Sequence, residues 1–433
     1  MTRSERTLVR RLWRELTRPR GPVRHRFYRG GRRSKAGVAL LMTISSVMLI
    51  SILVTEIAYT AVQRATVAAQ YRDEVAAELL ARSGLQFHHM VLIASQTIGQ
   101  SPAVASLATM AGSNSPELWQ AIPFIDTRFL RMVIVDAVPD DDLGSIEDAG
   151  GLTDEQVAES RTEGSSLTKR SFLDFDGDFS STVTDVERLV NVRNMTPNGQ
   201  EISLGELLQL PPAAQLYALF SQEPNQEWLD RNNLDKEELI ANLADWTDVG
   251  DTRTFRGGSE DALYDRGDKD TRYRSKNAPF DTREEIRLVE GWHRDGVWER
   301  VGRHLTVYGS GKVNVNTASP AVLFGLVRTL AEGSPPSDLT IEDAVEEFTM
   351  RRSSPPPPLG DGILVRDAKG FAEFFATLGI TLRADDAANY ITNQSKVFRI
   401  RSVGEVGDAR SEAEMVVDFT NGGAGRIVYW NVR

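Results

Sequence analysis

From Val38 to Val54 the chain carries 17 residues without a charge. As a helix this run covers about 25 Å, the low end of what spans a bilayer. The following residues, Glu56 to Ser95, are rich in Ala, Glu, Gln, Arg and Leu, and no proline occurs between Val38 and Pro102. The pattern predicts one helix from Val38 to Ser95, about 87 Å long. That exceeds what a membrane needs, so the first half anchors and the second projects into water to meet a globular part.

Beyond the helix the periodicity changes twice. Leu130–Asp136 and Ser171–Asp176 read as strands, separated by an acidic excursion, Val138 to Glu163, that contains Asp140, Asp141 and Asp142. From Leu204 to about Asn389 the apolar spacing is helical, interrupted at Pro211-Pro212, Gly257-Gly258, Ser334-Pro335-Pro336 and the stiff run Pro355 to Pro358. Strand patterns return at Lys396–Val403, Ala413–Phe419 and Arg426–Val432. Strands thus bracket a helical insertion, and the expected class is α+β.

Charge gives this order a direction. Residues 1–37 hold 13 Lys and Arg against Glu5 and Glu15, a balance of +11 that leaves the rest of the chain at −22. A basic block beside a spanning helix belongs on the cytoplasmic side, which puts the acidic bulk outside. That acidity opposes binding to a nucleic-acid backbone, although the basic block alone also fits a nucleic-acid arm. The absence of cysteine excludes disulfides and thiolate metal sites.

The densest acidic stretch is Asp245-Trp246-Thr247-Asp248-Val249-Gly250-Asp251, followed by Glu260, Asp261 and Asp265. Carboxylates this close repel unless something offsets them, and a hard dication with oxygen ligands does so. A helix end followed by a solvated acidic loop accounts for the same residues. Asp174, Asp176 and Asp178 begin like a calcium loop, but Phe179 stands where an EF-hand requires glycine, and a strand with a polar face is preferred. Val313-Asn314-Val315-Asn316-Thr317-Ala318-Ser319-Pro320 supplies capping residues for a helix reaching Leu330. Gly309-Ser310-Gly311-Lys312 lacks the spacing of a phosphate loop and is expected to be a hairpin turn. The five histidines have no nucleophile motif beside them, so no enzyme is expected.

Lys35-Ala36-Gly37 directly before the apolar run has three readings: an ordinary signal anchor, a secretory signal peptide, or a processing site. The run is longer than a secretory signal's apolar region, and the Gly lies before it where a signal peptide's small-residue cleavage site would follow. The junction resembles the processing site of type IV pilins and pseudopilins. Together with Leu243–Asp248, Gly258–Asp261 with Tyr264, Asn277–Phe280, Glu284–Trp292 and Val313–Ala318, the chain resembles the large minor pseudopilin K family of type II secretion systems. The resemblance implies a leader, 1–37, removed by prepilin peptidase between Gly37 and Val38, with methylation of the mature chain. It implies an anchor and stalk helix, 38–100, in the inner membrane, and a pilin-like α/β domain (101–195 and 393–433) in the periplasm, interrupted by a helical domain (196–392).

It further implies a calcium ion, with Asp245, Asp248, Asp251, Glu260 and Asp261 as candidate ligands. The implied partners are minor pseudopilins I and J and, through them, the major pseudopilin, with exported proteins as a candidate contact and no nucleic acid. The implied role is to cap and initiate a periplasmic fibre. Position five of the mature chain is Met42, where most pilins have Glu. A subunit with none above it has no use for that carboxylate, which is costly unpaired in hydrocarbon. A minor pilin of a type IV pilus is the nearest alternative, ahead of a signal-anchored enzyme or a DNA-uptake protein.

Overall fold

The computed structural model describes residues 35–99, 118–130, 176–265, 272–333, 336–354 and 361–433. They fall into two compact units, Met1–Ala69 and Gln70–Arg433. The leader before Lys35, the excursion Val138–Glu163 and the run Pro355–Pro358 lie outside the described residues. So do the expected strands Leu130–Asp136 and Ser171–Asp176, apart from Leu130, which is helical, and Asp176, which sits in a bend.

Helix α1, Lys35–Gly99, begins in the first unit. There its large apolar side chains, from Val38 through Met42 to Val67, are each more than half exposed. Such a surface calls for hydrocarbon rather than water. Among the described residues this is one helix long and apolar enough to cross a membrane. The hydroxyls of Thr43, Thr55 and Thr60 donate back to the carbonyls of Leu40, Ser51 and Ile57 at 2.8–2.9 Å, so these polar side chains are satisfied within the helix. Gly37, Val38 and Met42 lie exposed on its first turns.

In the second unit, strands β1 (Phe124–Asp126), β2 (Asp178–Asp185), β3 (Val397–Val406), β4 (Ala409–Asp418) and β5 (Arg426–Val432) form one antiparallel sheet in that spatial order. Alternate residues of β2 and β3 are buried, the period-2 signature of a sheet covered on one face. Ala81, Leu85 and Leu92 of α1 provide the cover, against Val183, Phe398, Ile400, Met415 and Val417. The helix and sheet approach through two glycines. A β-carbon on Gly404 would collide with the Ala77 carbonyl and lie 2.6 Å from the Ala81 nitrogen; one on Gly84 would collide with Ser402 Oγ. Beneath them, the buried His88 places Nδ1 2.6 Å from Ser181 Oγ.

Between β2 and β3 the chain leaves the sheet and builds a second core around Phe220, Trp292, Phe348, Phe371 and Phe375. Its helices include α2 (Pro211–Phe220), α3 (Lys236–Thr247), α4 (Pro320–Leu330), α5 (Asp338–Ser353) and α6 (Ala368–Thr377). The fold is α+β. The interruption expected at Pro211-Pro212 falls just before it, between the short helix Leu204–Leu207 and α2, which the two prolines open: the first turn of a helix needs no N–H donors, so proline costs nothing there. Ser319 caps α4 by accepting from Val322 N, with Pro320 in the first turn. Gly309–Lys312 is not a hairpin turn, because the short strands flanking it pair elsewhere. Leu305–Thr306 pairs in parallel with Val190–Asn191, and Val313–Asn314 with Ile391–Thr392.

The insertion leaves and re-enters the sheet through adjacent connections, where Val186 N donates to Val397 O at 3.0 Å. Two buried carboxylates sit here. Asp185 accepts from Glu187 N (2.8 Å), Asn314 Nδ2 (3.2 Å) and the Thr317 hydroxyl. Glu187 accepts from Ser310 N (3.0 Å), Ser310 Oγ (2.6 Å) and Lys396 N (2.8 Å). The Gly309 backbone, at φ +102°, passes so near that a β-carbon would lie 3.0 Å from Glu187 Cγ.

Candidate metal centre

Helix α3 begins at Asp235, whose side chain accepts from Glu237 N, and its last two turns are buried. Asp245 lies in that buried stretch, and Asp248 is the residue on which the helix stops. Arg256, Gly257 and Gly258, all with positive φ, then reverse the chain. The small ladder Thr252 to Ser259 follows, with Arg253 N donating to Gly258 O at 2.9 Å. The reversal brings Glu260 back against the helix end, its N–H bonded to Asp251 O at 3.2 Å.

Asp245, Asp248 and Glu260 are each at most 2% exposed. One carboxylate oxygen from each lies within 4.8 Å of the other two. Two oxygens bound to one calcium ion at about 2.4 Å can be no farther apart than about 4.8 Å, so this spacing is compatible with a shared ion. One oxygen of Asp245 accepts from Thr254 N (3.0 Å), and one of Asp248 from Gly250 N (2.8 Å). Asp245 Oδ2, Asp248 Oδ2 and both oxygens of Glu260 have no donor in full hydrogen-bond geometry; the Ser275 hydroxyl, which donates to Asp245 O at 3.0 Å, stands close enough to Glu260 to oppose part of its pKa shift. Burial raises the pKa of all three. Asp248 is pushed up to about 6, with the charges of Asp245 and Glu201 adding to burial, and Glu260 to about 8, with Asp245 and Asp248 adding. An all-oxygen donor set with free lone pairs fits a hard dication.

Asp251 and Asp261 do not join the group. Asp251 is exposed and contributes only its backbone oxygen to the loop. Asp261 opens the next helical turn and accepts from Ser275 N at 3.3 Å.

Other residues belong to the same neighbourhood without having been singled out by spacing. Asn277, at φ 50°, donates to Gly250 O at 2.8 Å and leaves its own Oδ1 buried without a donor. Thr254 Oγ1 is likewise buried without a partner. Glu201 approaches the rim, its Oε2 3.1 Å from where a β-carbon on Gly250 would be. The available signal for Asn277 was its place before Ala278-Pro279, where a left-handed backbone favours asparagine. Trp246 walls the centre, edge-on to Tyr264 (5.3 Å between centroids) and Tyr273 (6.1 Å), with its N–H on Glu285 at 3.1 Å.

Residues 189–310 match the family model for type II secretion system protein K, first domain. No curated protein matches the chain. Among solved structures, the GspK-GspI-GspJ complex from enterotoxigenic Escherichia coli contains a similar chain. Identity is 17%, the TM-score is 0.42, and the match covers 60% of this chain and 80% of that one. The matched segment 189–310 contains the whole acidic centre and the aromatic wall around it, and over this segment the chain is similar to protein K of the type II secretion system.

Proposed function

We propose that this protein is the minor pseudopilin that caps the pseudopilus of a type II secretion system and initiates its assembly. The observation that carries the reading is the protein K domain at 189–310 in a chain that also has an exposed apolar anchor helix. It favours a type II system over a type IV pilus. In this reading prepilin peptidase cuts between Gly37 and Val38, α1 stays in the inner membrane, and the acidic bulk lies in the periplasm. The division into a pilin-like part (101–195, 393–433) and an inserted domain (196–392) belongs to the same reading. Met42 at mature position five suits a subunit with no neighbour above it. The partners are minor pseudopilins I and J, the proteins named with GspK in the solved complex.

The same reading gives Asp245, Asp248 and Glu260 a structural calcium ion, supported by their unpartnered buried oxygens. The ion would neutralise the trio and tie the end of α3 to the returning loop. The role is tested by co-purification: the tagged full chain should retain I and J from the same organism in detergent, and failure to retain either overturns it. Amino-terminal sequencing of the membrane-fraction protein should begin at Val38; a chain beginning at Met1 overturns the processing.

A further inference from the structure

Although the chain beyond residue 37 is strongly acidic, the second unit gathers cations in one place. The charges of Arg188, Arg283 and Arg303 all act on the buried His304, and Arg188 acts in turn on Arg352. Among the described residues no carboxylate forms an ion pair with any of these four arginines. Two of them are committed to the backbone. Arg283 donates to Leu305 O and Gly302 O, both at 3.1 Å, and Arg352 to Val315 O at 2.8 Å and Ala318 O at 2.9 Å. The other two are not: Arg188 has its Nε buried without an acceptor, and Arg303 spends only its Nε, which donates to His304 Nε2 at 3.1 Å. That bond needs a neutral imidazole with its proton on Nδ1, which faces Ser319 Oγ at 3.4 Å. Burial pushes the His304 imidazole down to about 4, with the three arginines adding, so the ring is neutral at neutral pH.

A cleft of about 300 Å³ opens beside this ring, several times the roughly 30 Å³ that one water takes up. His304, Arg303, Arg300 and Ala321 line it. Arg300 ends the short helix Asp295–Arg300 and rests over the Trp228 ring at 5.3 Å, and its guanidinium donates no hydrogen bond among the described residues. Ala321 belongs to the first turn of α4, the positive end of that helix. Glu299 is the carboxylate on the same rim; it is exposed and pairs with neither arginine. We propose that this cleft binds a small oxyanion, gripped by Arg300 and Arg303 with the charge of Arg188 behind them. Guanidinium forks match the paired oxygens of an inorganic oxyanion and of a peptide's terminal carboxylate alike, and these are the two sources of the ligand. The inference is independent of the tip assignment and of the calcium centre.

The test is equilibrium dialysis of the full chain in detergent, at constant ionic strength set with sodium chloride, against two labelled probes: sulfate, and acetylated dialanine with a free terminal carboxylate. The amidated dipeptide is the control. Saturable binding of sulfate alone assigns the site to a free ion, and binding of the dipeptide but not of its amide assigns it to a chain end; each upholds the proposal. Binding of neither probe overturns it. Arg303→Gln changes an exposed side chain, so the fold should persist, and the bound probe should be held about tenfold more weakly. Arg300→Gln should act in the same direction. Undiminished binding in both variants overturns the proposal. The Cε1 proton signal of His304, assigned with His304→Gln, gives a second readout. An anion beside the ring favours the imidazolium, so the titration midpoint of His304 should rise with the probe bound. A midpoint that ignores a bound probe puts that probe elsewhere and overturns the proposal as well.

Discussion

Asp185 and Glu187 at the junction, and Asp245, Asp248 and Glu260 at the acidic centre, are all at most 4% exposed, yet their oxygens meet opposite surroundings. At the junction every carboxylate oxygen has an N–H or O–H donor from the chain. At the centre Asp245 Oδ2, Asp248 Oδ2 and the Glu260 oxygens have none in full hydrogen-bond geometry. Burying a charge is expensive in both places, but at the junction the polypeptide itself offsets the cost. A buried carboxylate is thus poor grounds for inferring a ligand. An unused lone pair on one is much better grounds.

The largest expected effect breaks the comparison by withdrawing the calcium ion proposed for the centre. Chelation should lower stability by about 4 kcal/mol relative to calcium at a thousandfold excess over its dissociation constant, read as a drop in melting temperature. Asp248→Ala should erase the difference between calcium and chelator, whereas Glu187→Gln should keep it. An unchanged melting temperature in chelator removes the ion from the centre. Next comes pH. In chelator, Asp248 and Glu260 hold protons in the folded state that they lose when unfolded. Stability should therefore fall as pH rises from the ordinary carboxylate range through about 6 and about 8. For Asp248 alone this is on the order of 3 kcal/mol. Excess calcium should reverse the slope, because the ion competes with protons. A slope of the same sign in both conditions contradicts cation binding by this trio.

Smaller effects sharpen the junction side. Glu187→Gln sets an amide N–H₂ against the donors Ser310 N or Lys396 N and should cost about 2 kcal/mol in urea unfolding, with calcium affinity unchanged. Thr317→Val, which removes one donor to Asp185, should cost about 1 kcal/mol in the same measurement.

These two regions were unequally legible in the sequence. The acidic centre announces itself because Asp245, Asp248 and Glu260 fall within one short stretch. Spacing, however, cannot tell which carboxylates turn inward. Asp251 and Asp261 stay out of the group because the reversal at Arg256–Gly258 aims Glu260, and not its neighbour, at the end of α3. The junction was invisible by spacing: Asp185 meets Asn314 across 129 residues, and Glu187 meets Lys396 across 209. Val313–Ser319 shows the limit well. Its capping chemistry was readable, since Ser319 does cap α4, but Asn314 and Thr317 look like local helix signals while their side chains bond to a strand far away. The long helix was plain because an uncharged run passes into helix-forming residues with no proline over many turns. Pro211-Pro212 marked a break that is there, but spacing did not tell that the prolines belong to the helix after it.

The order of strands in the sheet carries a consequence for how the molecule is made. Strands β2 and β3 lie side by side, yet paired residues such as Thr182 and Arg401 are 219 positions apart in the chain. Closing a loop that long before any contact rewards it is slow. The insertion has its own core, so its collapse would bring the two ends together and shorten the search. During synthesis β1 and β2 can pair with each other, but the other edge of β2 stays open until β3 arrives. The interval is one in which a chaperone or a neighbouring subunit's strand would find that edge unpaired.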